Sequence, residues 1–380
     1  MIAKKMVKFV EGSSVTRAMF EEGKKMAVEF GAENVYDFSL GNPSVEPPKQ
    51  VKEAIIETLN EDAPNFVHGY MNNSGYEEVR ERIAQSLNRR FDTKFSQNNI
   101  IMTVGAAGGL NVALKTLLDP GDEVIAFAPY FGEYNNYVAN FDGVMVVVPA
   151  DVPSFQLDLE TFAKKITAKT KAVIVNNPNN PTGTVVDSEE LKEFIHKVPK
   201  DIIIVVDEAY IELSSNPDVK SMVSEISDDT NVVVARTFSK LYGLAGVRLG
   251  YAMCNKEMHA ILQKCTSVFT GSRVALAGAM AALDDEEYIK KTKAAMLEGR
   301  KYLTDEFTKM GFYVYPSETN FLYVNTGYNA AEFAEECKKY GLIIRGNFDY
   351  SRITVGRMDQ NEKMVGIIKK IIESGELKKI

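Results

Sequence analysis

Four short segments hold side chains whose types and spacing suit chemistry. One reads Arg236-Thr237-Phe238-Ser239-Lys240 and continues Leu241-Tyr242-Gly243-Leu244-Ala245-Gly246-Val247-Arg248. A lysine between hydroxyls and a glycine-rich loop serves as an anion site or as an amine nucleophile. The second role needs a lowered pKa, which a nearby cation or partial burial supplies. Thr237, Ser239 and Arg248 are phosphate donors by type. In a second segment, Asp207-Glu208-Ala209-Tyr210 follows an apolar run. A carboxylate at a buried strand end is costly unless a cation meets it; a helix cap or a structural ion pair is the other reading. The third segment, Asn176-Asn177-Pro178-Asn179-Asn180-Pro181-Thr182-Gly183, packs four asparagines into eight residues. Its Asn-Pro steps make a turn, and its amides suit a place where directed hydrogen bonds are needed. The fourth, Gly105-Ala106-Ala107-Gly108-Gly109, opens a helical pattern with residues small enough for backbone N–H groups to approach a phosphate. It matches neither G-x-G-x-x-G nor the P-loop pattern.

These segments follow strands. Apolar runs at 100–104, 123–128, 144–148, 172–175, 202–206 and 231–235 alternate with helical patterns such as 110–118 and 188–196. Several are nearly continuous Ile/Val, as strands buried on both faces read. The alternation predicts an α/β domain with a mostly parallel central sheet and helices on both faces. Ligands in such sheets gather at the carboxyl ends of the strands. A long helical pattern over 284–310 leads to short apolar runs at 313–315, 321–324, 342–345 and 352–355, with 330–340 helical between, which predicts a smaller α+β domain. The expected division is 1–45 as an N-terminal arm and part of the small domain, 46–283 as the large domain, and 284–380 as the small C-terminal domain with 284–310 bridging.

Composition narrows the classes. The chain has 380 residues and a net charge of −8, which argues against a general nucleic-acid binder and against a DNA-binding regulator that merely holds a cofactor. Three cysteines and three histidines lie at no metal spacing, so no metal site is expected and a reducing compartment fits. The basic start MIAKKMVKFVEGSS lacks a long apolar stretch, and the apolar segment 274–283 is too short to span a bilayer. The expectation is a cytoplasmic protein with no membrane partner.

Asn180, Asp207 and Lys240 come in order, each at the carboxyl end of a strand candidate, with a small-residue helix start upstream. Pyridoxal phosphate asks for this set: a lysine for its aldehyde, a carboxylate for its ring nitrogen, donors for its ring oxygen and a cradle for its phosphate. The run NPNNPTG, then DEAY, then SK with GLAGVRLGY resembles the fold-type I pyridoxal-phosphate-dependent aminotransferases of class I/II over essentially the whole chain.

The resemblance implies roles residue by residue. Lys240 matches the Schiff-base lysine, Asp207 the carboxylate on the pyridine nitrogen, and Asn180 and Tyr210 the partners of the ring oxygen. Ala106 and Ala107 by backbone, with Thr237, Ser239 and Arg248, match the phosphate site; Phe131 matches the stacking aromatic. Tyr70 matches a tyrosine that reaches the phosphate of a neighbouring subunit, which implies a homodimer. Gly41 and Arg352 match substrate-carboxylate contacts; Arg345 and Arg273 are candidates for reading a second acidic group. DEAYIEL, RTFSKLYGLAGVRLGY and RITVG are similar to histidinol-phosphate aminotransferases, whereas FSLGNPSVEPP and HGYMNNSGYEEVR look more like aspartate- or general-type enzymes. Because a glycine lets backbone approach a carboxylate, Gly41 favours an L-amino acid donor with 2-oxoglutarate as acceptor in a ping-pong transamination. A histidinol-phosphate aminotransferase, or a related decarboxylase or lyase, is the alternative.

Overall fold

The computed structural model describes residues 2, 6–7, 15–267 and 269–380. They form two compact units, 45–294 and the combination of 1–44 with 295–380. In chain order the strands are β1 (Tyr36–Asp37) in the smaller unit; β2 (Ile100–Thr103), β3 (Glu123–Phe127), β4 (Val144–Val148), β5 (Thr170–Asn176), β6 (Ile203–Asp207), β7 (Val232–Thr237) and β8 (Gly250–Met253) in the larger; then β9 (Tyr313–Val314), β10 (Phe321–Asn325), β11 (Leu342–Ile343) and β12 (Ser351–Thr354) in the smaller.

The larger unit is an α/β domain around one seven-stranded sheet, ordered β2-β8-β7-β6-β5-β3-β4. Strands β4, β3, β5, β6 and β7 pair in parallel, and β8 runs antiparallel to both its neighbours. Every residue of β6 and β7 is buried, which is why both read as unbroken apolar runs. The strands outlast those runs. The ladder pairs Asn176 with Asp207 and Asp207 with Ala235, so these polar residues are the last rungs of strands rather than loop residues beyond them.

The helix Gly105–Leu117 follows β2. Its small residues also serve packing: a Cβ on Gly109 would sit 3.4 Å from those of Ala235 and Ala252. Leu110, Ala113 and Leu114 join Ile101, Ile174, Val205 and Val233 in one core cluster.

The smaller unit holds an antiparallel sheet, β12-β10-β9, and a parallel pair, β1-β11. Leu322, Val324, Ile353 and Val355 turn one sheet face into a core with Leu303, Phe307, Phe333 and Ile368. The helix Glu286–Lys309 is continuous. The division between the units falls within it, at 294/295, and not at its start near 284. A helix, Val15–Phe30, lies within the segment expected as the N-terminal arm. Among the described residues no helix is long and apolar enough to cross a membrane, and no group of three His, Cys, Asp or Glu could hold a metal.

Candidate active site

Asp207 ends β6 in the middle of the sheet and is buried. Tyr134 Oη donates to its Oδ2 at 2.7 Å, and the Ala209 N–H donates to its Oδ1 at 3.1 Å. Burial raises its pKa above the ordinary carboxylate range, while these donors and the charge of Lys240 work in the other direction. Tyr134 is pushed well above the phenol range by its own burial and by the Asp207 carboxylate, so it stays a donor.

The asparagine loop is tied to the same strand end. Asn176 Nδ2 donates to the Asp207 carbonyl at 2.9 Å, and its Oδ1 accepts the Asn180 N–H at 2.7 Å. One amide therefore sets the spacing between the residues matched to the ring nitrogen and the ring oxygen. Asn180 Nδ2 lies 3.4 Å from Tyr210 Oη. Asn179 accepts from Thr182 and donates to the Pro129 carbonyl, which holds the loop that carries Phe131. The rings of Phe131 and Tyr134 meet edge-on at 5.7 Å.

Past β7, Lys240 Nζ lies 5.4 Å from the centre of the Tyr210 ring. Thr237 Oγ1 bonds Ser239 Oγ at 2.8 Å and accepts the Ser239 N–H at 3.1 Å; Arg248 Nη1 lies 3.5 Å from Ser239 Oγ. The helix Gly105–Leu117 starts at this cluster with no side-chain cap. Its first N–H groups, from Gly105, Ala106 and Ala107, have no acceptor within the helix and carry the positive end of its dipole. A Cβ on Gly105, whose φ is +67°, would come within 3.2 Å of Arg248 Nη2 and 3.7 Å of Thr237 Oγ1. That space, ringed by backbone amides, two hydroxyls and a guanidinium, has the donor set that a phosphate asks for. With Asp207, Asn180, Tyr210 and Lys240 around the same strand ends, the donor set fits pyridoxal phosphate.

In the smaller unit, Arg352 on β12 and Arg345 exchange backbone hydrogen bonds of 3.1 and 2.9 Å and are both buried. Residues paired this way project their side chains on the same face, where like charges repel. Tyr323 stands opposite Arg352 on β10 and shares that face. The Arg352 guanidinium donates to the Ser39 carbonyl and lies 4.8 Å from the centre of the Phe321 ring. The Arg345 guanidinium lies 5.6 Å from that of Phe348. Gly41, at φ +69°, donates its N–H to Thr354 Oγ1 at 3.0 Å and accepts from Asn320 Nδ2 at 2.9 Å.

Three further side chains have surroundings that the sequence does not show. Arg273 lies 3.1 Å from Glu78 and 3.6 Å from Asp62, over the rings of Phe66 and Tyr76, so neighbouring carboxylates already engage its charge. Glu208, next to Asp207, points to the buried Arg236 at 2.8 Å and to Ser221, and so belongs to a structural ion pair. Tyr70 is 87% exposed, with its ring stacked on Phe269 at 4.4 Å. Sequence reasoning missed Tyr134 and Asn176. Only the aromatic spacing of Tyr130, Phe131 and Tyr134 and the asparagine count hinted at them.

The profile of the family described as aminotransferase class I and II matches residues 33–368. The histidinol-phosphate aminotransferase 2 of Carboxydothermus hydrogenoformans is 36% identical over 282 residues, 73% of this chain and 77% of that one. Among solved structures, an amino transferase from Eubacterium rectale is 29% identical, with a TM-score of 0.84 over 99% of both chains. The histidinol-phosphate aminotransferase of Sinorhizobium meliloti, solved with pyridoxal-5'-phosphate, is 25% identical with a TM-score of 0.81, covering 93% of this chain and 94% of that one.

Proposed function

The chain belongs to the class I and II aminotransferases, which are pyridoxal-phosphate enzymes, and on that premise we propose that its amino donor is a phosphorylated amine of the histidinol-phosphate type and its acceptor a 2-oxo acid. The observation that carries this reading is the opposed, buried pair Arg345 and Arg352. A dianionic phosphate between two guanidinium forks relieves their repulsion better than one carboxylate does. The names of the relatives support the same donor. The preference for an L-amino acid donor rested on Gly41, whose N–H already serves Thr354.

When bound, pyridoxal phosphate supplies an electron sink for the amine-bearing carbon. In this reading Lys240 would hold the cofactor covalently, and its Nζ would take the proton from that carbon. Asp207 would accept from the ring nitrogen and keep it protonated. Asn180 and Tyr210 would orient the ring oxygen, Phe131 would lie against the ring, and Ala106, Ala107, Thr237, Ser239 and Arg248 would hold the phosphate. Arg352 and Arg345 anchor the substrate anion. Tyr70, exposed on its own subunit, serves a second copy in a homodimer. Three unpaired cysteines suit a reducing cytoplasm.

The test is a donor panel read from the absorbance change as the bound cofactor takes the amino group. Histidinol phosphate is expected to give the highest kcat/KM. An L-amino acid that exceeds it tenfold overturns the reading, and release of carbon dioxide from a donor acid would make the chain a decarboxylase.

A further inference from the structure

We propose that Tyr134 is a positioning residue for the cofactor ring, acting through Asp207. It lies in the first turn of the helix Glu133–Asn140 and is 1% exposed. Its ring has little freedom: Tyr130 stacks on it at 6.2 Å, Phe131 meets it edge-on at 5.7 Å, and Tyr137 lies 6.3 Å away. The hydroxyl so fixed donates to Asp207 Oδ2 at 2.7 Å.

A carboxylate removed from water favours its neutral acid unless donors replace the lost solvent. A neutral Asp207 could not hold a proton on the ring nitrogen. Its Oδ1 receives the Ala209 N–H at 3.1 Å, and Tyr134 supplies Oδ2. Each oxygen keeps a lone pair, and the carboxylate plane is pinned by two donors on different elements. Phe131, matched to the stacking ring, packs on the same tyrosine, so one side chain orients both the carboxylate at the edge of the cofactor and the aromatic on its face.

The inference rests on the assignment of Asp207 to the ring nitrogen, and a double-mutant cycle on cofactor affinity separates the two. Apoprotein is titrated with pyridoxal phosphate and the dissociation constant is read from absorbance and fluorescence. Tyr134→Phe is expected to weaken binding about tenfold, the loss expected for one hydrogen bond to a charged group. In an Asp207→Ala background the same change is expected to alter the constant less than twofold. The thermal midpoint of the Tyr134→Phe apoprotein serves as the structural control. An unchanged constant in the native background overturns the proposal, and so does an equal loss in both backgrounds, which would mark Tyr134 as a packing residue. If Asp207→Ala alone binds the cofactor as tightly as the native chain, the assignment of Asp207 fails first and takes the proposal with it.

Discussion

Arg345 and Arg352 stand directly opposite each other, each backbone N–H bonded to the other's carbonyl, with both side chains on one face and both residues buried. Seven residues apart in sequence, they enclose only a short loop, whose Phe348 ring lies 5.6 Å from the Arg345 guanidinium. An anion seated between these two guanidinium groups would be engaged by both forks, which is the role proposed above for the pair toward a phosphorylated substrate.

Arg352→Lys keeps the charge and loses the planar fork. The expected result is a rise in KM for histidinol phosphate of roughly tenfold or more, the scale of one charge-assisted hydrogen bond. The absorbance of the bound cofactor should stay as in the native protein. Arg345→Met should act in the same direction. Steady-state kinetics on both variants checks this; unchanged constants would remove the pair from the anion site.

Lys240→Ala should abolish covalent attachment. Borohydride reduction of the native protein followed by peptide mapping is expected to label Lys240 and no other lysine. The variant should lose at least about 100-fold in turnover, the lower scale of general acid–base catalysis.

If Tyr70 completes the neighbouring subunit's phosphate site, each active site draws on two chains. Tyr70→Phe and Lys240→Ala subunits, each impaired alone, should recover activity when mixed and allowed to exchange, since one of the two sites in the mixed dimer then has both residues. Sedimentation should show a dimer at assay concentration. A fully active monomer would contradict the arrangement.

The buried Arg236 links Glu208 at 2.8 Å with Glu212 at 3.6 Å, and Arg90 reaches Glu212 at 2.8 Å. Removing Arg236 alone leaves buried carboxylates uncompensated, so Arg236→Met should cost about 3–5 kcal/mol in denaturant unfolding. Burial raises the Glu212 pKa, but Arg90 and Arg236 outweigh it and hold it below the ordinary 4.5. The folded pKa is thus the lower one, so this stability is present above pH 4.5 and is lost as the pH falls through the folded value. Denaturant midpoints should drop on acidification below pH 4.5, and Glu212→Gln should flatten that drop.

The sequence by itself determined the α/β class and the candidate chemistry. Strands buried on both faces leave unbroken Ile/Val runs, and the polar residues at the ends of those runs are cofactor ligands by type. NPNNPTG, DEAY and SK were enough to identify the family. Only the tertiary structure brought together groups that lie far apart in the chain. Tyr134 meets Asp207 across 73 residues, and Thr354 takes the amide of Gly41 across 313. Such contacts have no sequence signature, because separation along the chain carries no distance until strands are in register. For the same reason residue type alone does not separate Asp207 from Glu208, which the resemblance told apart: alternation along the chain sends one toward Tyr134 and the other toward Arg236. The division within the helix Glu286–Lys309 was equally hidden, since the helical pattern runs unbroken through 294/295.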